Sequence, residues 1–253
     1  MACLLRNGAP EKLPPAPTPF IYQTVHVRRG RPLLLPQHTA LLGQYVRAFF
    51  GYDLRHNPQQ IERQIAALLE ANRQPASVSS FVRIEATADK ELRLVPSAPS
   101  LYDGYALRSL RPEAAPLRYE IPFGDRPTSA RLEALRWAKA LVRNVGASTV
   151  IRCDRRDLVR AADDAPLFAV LGERIYTPPA PASIERDQAL RAIDAARLGV
   201  TEQEIGREQL ARFDELFYFD HRGITSLSGC GEALYTDIIA ARIARTLPLI
   251  SRG

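Results

Sequence analysis

Proline divides this chain more firmly than any other residue type. The stretch Arg111-Pro112-Glu113-Ala114-Ala115-Pro116 is polar and twice interrupted by a residue that fixes φ and gives up its N–H, and it lies between two regions of regular apolar periodicity. It reads as a linker. The expected organisation is therefore an N-terminal α+β domain over residues 1–112 and a larger C-terminal α/β domain over residues 117–253. At the start of the chain, Pro14, Pro15, Pro17 and Pro19 disfavour helix, so the first 18 residues or so read as an extended arm or loop. With 253 residues, 46% of them apolar, the chain can bury a substantial core.

In the first region the period alternates between two and 3.6. Ile21-Tyr22-Gln23-Thr24-Val25-His26-Val27 reads as a strand, Arg29-Gly30-Arg31-Pro32 as a turn and Leu33-Leu34-Leu35 as a short return strand. Helices are expected at about 36–50 and 58–72, the second with Ile61, Ile65, Leu68 and Leu69 on one face. Strands at 79–87 and 91–96 flank a turn at Ala88-Asp89-Lys90, and 103–110 reads as another strand. In the second region a helix over about 129–144 presents Leu132, Leu135, Ala138, Leu141 and Val145 to a core, with Thr128 or Ser129 as its N-cap. Strands follow at 148–153, 167–171 and 174–176. Ser183 caps a helix that ends near Leu198-Gly199, where glycine suits the left-handed position. A strand at 200–205, a short helix at 207–213, a strand at 216–219 and a last helix at 232–246 complete the pattern. No internal repeat is evident.

Composition narrows the function classes. No run of about 18 apolar residues occurs and the first residues lack the apolar stretch of a signal peptide, so a cytoplasmic location is expected and membrane partners are not. Cys3, Cys153 and Cys230 are odd in number and far apart, which disfavours a disulfide framework and a zinc site. The net charge is +6, carried almost wholly by arginine, since Lys12, Lys90 and Lys139 are the only lysines. A basic surface attracts phosphates and acidic substrates, but the arginines are scattered, without the basic blocks or interleaved aromatics of a nucleic-acid platform. A phosphate- or nucleic-acid-binding module remains the rival from another class, recognisable by salt-sensitive retention on heparin.

Several local phrases, in one shared order, resemble the class IV (fold type IV) pyridoxal-phosphate enzymes: aminodeoxychorismate lyase, branched-chain aminotransferase and D-amino-acid aminotransferase. Tyr22-Gln23-Thr24 and then Arg29-Gly30-Arg31 are similar to the family's Phe-Glu-Thr strand and Asp-Gly-Arg turn. His38-Thr39-Ala40-Leu41-Leu42 stands where His-x-x-Arg-Leu is usual, and Arg131-Leu132-Glu133 resembles the start of the helix after the catalytic lysine. Leu167-Phe168 with Ile175-Tyr176-Thr177-Pro178-Pro179 is similar to the Asn-Leu-Phe and Tyr-Thr-Pro-Pro segment. Ile184-Glu185-Arg186 and Gly223-Ile224-Thr225 stand for Gly-Ile-Thr-Arg and Gly-Val-Thr. The resemblance spans nearly the whole chain and implies a two-lobed fold, a smaller α+β lobe followed by a larger, barrel-like α/β lobe, and a homodimer.

It also implies a cofactor whose chemical partners are missing here. Pyridoxal phosphate needs an amine for its Schiff base, an acid at the pyridine nitrogen and donors for its phosphate. By the resemblance the lysine falls at or beside Thr128, within 127–129; the acid falls on Ala161, the loop asparagine on Pro166, the phosphate-binding arginine on Leu41 and the Gly-Ile-Thr threonine on Glu185. None of these can do the expected work, and a carboxylate beside a phosphate dianion is repulsive. Lys139 lies eleven residues past Thr128, about 16 Å along a helix, and both it and Lys90 are expected at the surface. Loss of the cofactor is the expectation, leaving a pseudoenzyme or a binder of a small anion; an active lyase or aminotransferase is the alternative.

Arg126, Arg160, Arg186 and Arg222, with His221, form the candidate anion cleft, since guanidinium pairs bidentately with carboxylate or phosphate. Against that stands ordinary solvation of surface arginines. Cys230, placed before the expected last helix, could be an activated thiol but reads better as part of a glycine-rich turn. Asp163-Asp164 reads as a solvated loop rather than a metal site. His38 is expected to pack or cap a helix start, His26 to alternate outward from its strand, and Trp137 to sit in a core or an interface.

Overall fold

The computed structural model describes residues 3–6, 9–12, 18–75, 77–123 and 126–247. Pro14, Pro15 and Pro17 of the expected arm lie outside them. Ahead of that arm, β1 (Cys3–Arg6) and β2 (Ala9–Lys12) pair antiparallel, so part of the expected loop is a hairpin.

The first large unit is one sheet covered by two helices. β3 (Phe20–Arg28) turns into the two-residue β4 (Arg31–Pro32), and α1 (Leu35–Phe50) begins immediately afterwards. The three leucines expected as a return strand instead lead into the helix: Leu34 takes a left-handed conformation (φ 54°) and Pro36 supplies a first turn that needs no N–H. Gly51, at φ 69°, ends it. In α2 (Pro58–Ala71) Asn57 and Gln60 cap each other reciprocally, and Ile61, Ile65 and Leu69 face inward as their spacing demands. β5 (Ser80–Thr87) and β6 (Leu92–Pro99) complete a sheet of order β4-β3-β5-β6.

The chain then enters two further sheets. β7 (Ala106–Leu107) is a two-residue remnant of the longer strand expected at 103–110. β8 (Glu113–Arg118) occupies the stretch that reads as a linker and lies mid-sheet, parallel to its neighbour on each side. Pro116 is accommodated because one neighbour pairs only with Glu113 and Ala114, so past that point this edge of β8 requires no ladder bond. α3 (Ser129–Arg143), β9 (Thr149–Cys153), β10 (Val159–Ala162), β11 (Leu167–Leu171), β12 (Arg174–Thr177), α4 (Ile184–Ala195) and β13 (Val200–Glu202) follow, then a 3-10 turn at Arg207–Arg212. β14 (Glu215–Asp220), β15 (Gly223–Ser226), β16 (Gly229–Cys230), β17 (Ala233–Leu234) and α5 (Ile238–Ala244) close the described chain. The sheets have orders β10-β9-β8-β16-β17 and β13-β12-β11-β14-β15-β7.

β11 and the interior of β14, Leu216 to Phe219, are apolar without alternation because both their faces are covered. Phe168, Val170, Phe217 and Phe219 pack with Ile193 and Ile243 on the helical side. Leu167, Ala169, Leu216 and Tyr218 pack toward Ile151, Val159 and Leu227 on the other. The last helix starts six residues later than expected: Gly231 (φ 63°) turns the chain into β17, and the buried Glu215 carboxylate accepts from the amides of Ile239 (2.8 Å) and Ala240 (3.0 Å) to cap α5. No helix among the described residues is long and apolar enough to cross a membrane.

Candidate functional site

Four loops meet where the first sheet faces the other two. The segment before α3 is fastened to β3: the Tyr22 amide donates to the Pro127 carbonyl (2.9 Å), and Ile21 and Thr128 form a β-bridge. Opposite it, Asp163 and Asp164 make the two-residue turn between β10 and β11, both left-handed (φ 46° and 64°), closed by reciprocal bonds between Ala162 and Ala165 at 3.0 and 2.8 Å. The N-terminus of α4 and the Asp220-His221-Arg222 turn supply the remaining walls. They enclose a cleft of about 360 Å³.

Leu41, Ala161, Pro166 and Glu185 all line this cleft, so four of the five positions to which the resemblance assigns cofactor contacts converge. The fifth is adjacent: Pro127 lines the cleft, while the Thr128 hydroxyl accepts from the Arg131 amide (3.3 Å) and caps α3. Of the candidate anion residues, Arg160, Arg222 and His221 line the cleft, whereas Arg126 and Arg186 do not. Arg126 lies 4.8 Å over the ring of Tyr45, itself a wall residue. Arg186 is buried beneath α4, donating to Thr177 Oγ1 (3.1 Å) and to Glu202 (2.5 Å). The two cleft arginines are also paired, Arg160 with Asp154 (2.5 Å) and Arg222 with Asp220.

Three residues stand where sequence reasoning did not put them. Lys139 lines the cleft rather than the open surface, its side chain 33% exposed and its Nζ 2.6 Å from Asp163 Oδ2. Asp163 and Asp164 form a buried ion-pairing turn, not a solvated loop. Asp163 also accepts from the Val150 amide (3.0 Å), while Asp164 lies 3.1 Å from Arg131 Nε and its carbonyl accepts from the same guanidinium (2.7 Å). A 3.6-residue period places Lys139 with Leu132 and Leu135 on one helical face, but not which face sees a cleft. No group of three or more metal-ligating side chains occurs among the described residues.

Burial dominates the electrostatics. It pushes Tyr22 up to about 12, lowers His221 to about 4 and raises Glu185 above the usual carboxylate range. Burial acts to raise Asp220 as well, but His221 and the Arg222 guanidinium outweigh it and hold the carboxylate low. Cys230 sits in β16, not at a helix start, and burial raises its thiol to about 11, which keeps it protonated.

The fold is shared with solved structures of low sequence identity. A putative 4-amino-4-deoxychorismate lyase from Legionella pneumophila superposes with a TM-score of 0.76 at 14% identity, over 91% of this chain and 90% of that one. The branched-chain amino acid aminotransferase from Escherichia coli gives 0.74 at 14% identity over 92% and 84%. An aminotransferase from Brucella abortus bound to the cofactor PLP gives 0.77 at 15% identity over 92% and 89%. No curated protein matches the sequence. The model of the amino-transferase class IV family matches residues 21–219, from the strand that holds the Pro127 loop to the strand that ends at the cleft, and the chain belongs to that family.

Proposed function

We propose that this protein is a class IV aminotransferase relative that does not run pyridoxal-phosphate chemistry and instead uses the inherited cleft to bind a small anion. The observation that carries the reading is the donor set around the cleft. Leu41, Ala161 and Pro166 offer it no amine, acid or side-chain donor, Thr128 spends its hydroxyl on a helix cap, and Glu185 puts a carboxylate at the helix N-terminus where the resemblance implies a phosphate. These residues do not fit the cofactor. Six cations line the cleft (Arg83, Arg131, Lys139, Arg152, Arg160 and Arg222) with four carboxylates (Asp163, Asp164, Glu185 and Asp220); Glu85 and Asp154 pair with Arg83 and Arg160 from behind, and the guanidinium of Arg152, which has no carboxylate within ion-pairing distance among the described residues, is the group that supports an anionic guest.

The test is addition of pyridoxal phosphate to the purified protein, followed by absorbance between about 330 and 430 nm and borohydride reduction. A colourless, unmodified protein is expected. A second reading, an active lyase or aminotransferase, rests on the amine of Lys139 inside the cleft. It requires a reducible band and a cofactor adduct on Lys139 by mass spectrometry, and that result would end the first reading.

The two-lobe division at 112/117, a homodimeric state and a cytoplasmic location belong to the same proposal. Support for the dimer is an apolar stripe along the outside of α3, and support for a reducing compartment is that Cys153 and Cys230 are free thiols.

A further inference from the structure

β3 presents two faces. Ile21, Val25 and Val27 pack with the helices of their own unit, whereas His26 meets the turn between β14 and β15, where His221 stands. His26 Nδ1 lies 3.2 Å from the His221 carbonyl oxygen. The two imidazoles also share one phenyl ring. Phe81, the cross-strand partner of His26, meets both edge-on with centroids at 4.8 and 4.9 Å. Tyr105 closes the box, 5.8 Å from His26 and 5.4 Å from Phe219. This seam joins the first sheet to the two that follow, and it borders the cleft: Asp220, His221 and Arg222 line it together with Tyr22, Gln23 and Thr24 of β3.

The box suits neutral imidazoles. With its proton on Nδ1, His26 donates to the His221 carbonyl, and its Nε2 is buried with no hydrogen-bond partner among the described residues. A further proton on Nε2 would be a donor without an acceptor, on a cation held away from water. The titratable and charged groups facing His26 are Tyr105, His221, Asp103 and Arg28. Of these, Asp103 is already held by Arg28 (3.2 Å), Arg29 (3.0 Å) and the Ser79 hydroxyl (3.2 Å). Those facing His221 are Asp220, Arg222, Arg108 and, from α1, His38. Asp220 is tied to Arg222. Each nearby carboxylate therefore has its cation before any imidazolium forms, and protonating one histidine opposes protonating the other.

We infer that the His26–His221 contact is an acid-released latch, closed while both imidazoles are neutral and parted when they take up protons, so that acid opens the cleft along this seam. The latch works whatever the cleft holds. Once parted, both rings regain water and an ordinary pKa of about 6.5, against about 4 for each in the closed seam. The closed form is fully favoured above pH 6.5 and loses ground as the pH falls toward 4, by up to about tenfold per pH unit for each histidine.

Native-state hydrogen exchange of the full-length protein, followed by NMR between pH 7 and 4.5, tests this. The Tyr22 amide reports the seam, because it lies four residues from His26 on the same face of β3 and donates across to the Pro127 carbonyl (2.9 Å). The Ile65 and Leu69 amides of α2 report the core of the first unit. After correction for the intrinsic effect of pH, Tyr22 should lose at least about a hundredfold of its protection over this range. It should also stay at least tenfold less protected than the α2 amides. His26→Phe fills the box without a titratable group, so it should remove about half of that loss on a logarithmic scale, and His221→Phe should do the same. Equal protection of Tyr22 and α2 at every pH would show that the seam parts only when the whole molecule unfolds, and would overturn the latch. A loss at Tyr22 of less than tenfold in wild type, or one left unchanged by either variant, overturns it as well.

Discussion

Two imidazoles show how single residues set the conditions under which this protein holds together. His26 is wedged between Phe81 and Tyr105, with ring centroids at 4.8 and 5.8 Å, and His38 Nδ1 lies 3.0 Å from Gln23 Oε1 in the core of the first unit. Burial lowers their pKa values to about 4 and about 3 from an ordinary 6.5. Below 6.5 the unfolded chain takes up protons that the folded one refuses, so stability is complete above that pH and falls as the pH drops toward 4, with a slope approaching about 3 kcal/mol per pH unit while both sites differ between states. Urea midpoints measured between pH 7 and 4 should fall steeply in this window, and a His26→Phe, His38→Gln double variant should make the curve shallower by about two thirds, the buried His221 keeping the remaining slope; a wild-type midpoint independent of pH over the window would contradict the burial described. The packing of His38 is legible from its place at a helix start. That of His26 is not: strand alternation puts it on the outer face with Tyr22 and Thr24, and only the remainder of the fold, through Phe81, Tyr105 and the His221 carbonyl at 3.2 Å, covers that face.

At the scale of elements, the amphipathic periods are read correctly and their orientation is not. In α3 the expected core face is Leu132, Leu135, Ala138, Leu141 and Val145; of these Ala138 is buried, and it is joined in the core by Val142, packed with Ala147 and Val150. Leu132, Leu135 and Lys139 turn to the cleft. Period gives the angle between side chains, whereas the neighbours decide which angle points inward. β10, β15, β16 and β17 escape sequence reading because they are two to four residues long, too short for alternation to register. β15 is held by a close approach instead: a Cβ on Gly223 (φ 112°) would lie 2.3 Å from the Ala106 carbonyl oxygen and 2.5 Å from its nitrogen. Gly223→Ala should therefore cost about 3 kcal/mol through strain and collision, lowering the thermal midpoint by roughly 10 °C. Calorimetry giving an unchanged midpoint would mean that β7 does not dock on β15.

At the scale of the whole molecule, Trp137 and Leu141 on α3 and Val145 just past its end form an apolar stripe, 73%, 53% and 72% exposed. A stripe of this kind is a liability in a monomer, and the proposed homodimer answers it. Light scattering should give twice the chain mass of 28.2 kDa for the wild type and a shift toward single chains for a Trp137→Glu, Leu141→Glu variant, whereas a monomeric wild type would remove the dimer from the proposal. At this scale the sequence was informative through the order of its phrases, which carries the family fold from end to end. It was silent on which charges meet: the Arg131–Asp164 and Lys139–Asp163 pairs join residues 33 and 24 positions apart, and the Arg152–Ala161 pairing depends on a bulge between Val159 and Ala161. Thr128 adds a historical consequence. Its hydroxyl secures the first turn of α3, a cap worth about 1 kcal/mol, so a descendant that placed an amine at that position would first have to loosen the helix bearing it. Evolution toward amine chemistry at that position would run uphill from its opening step.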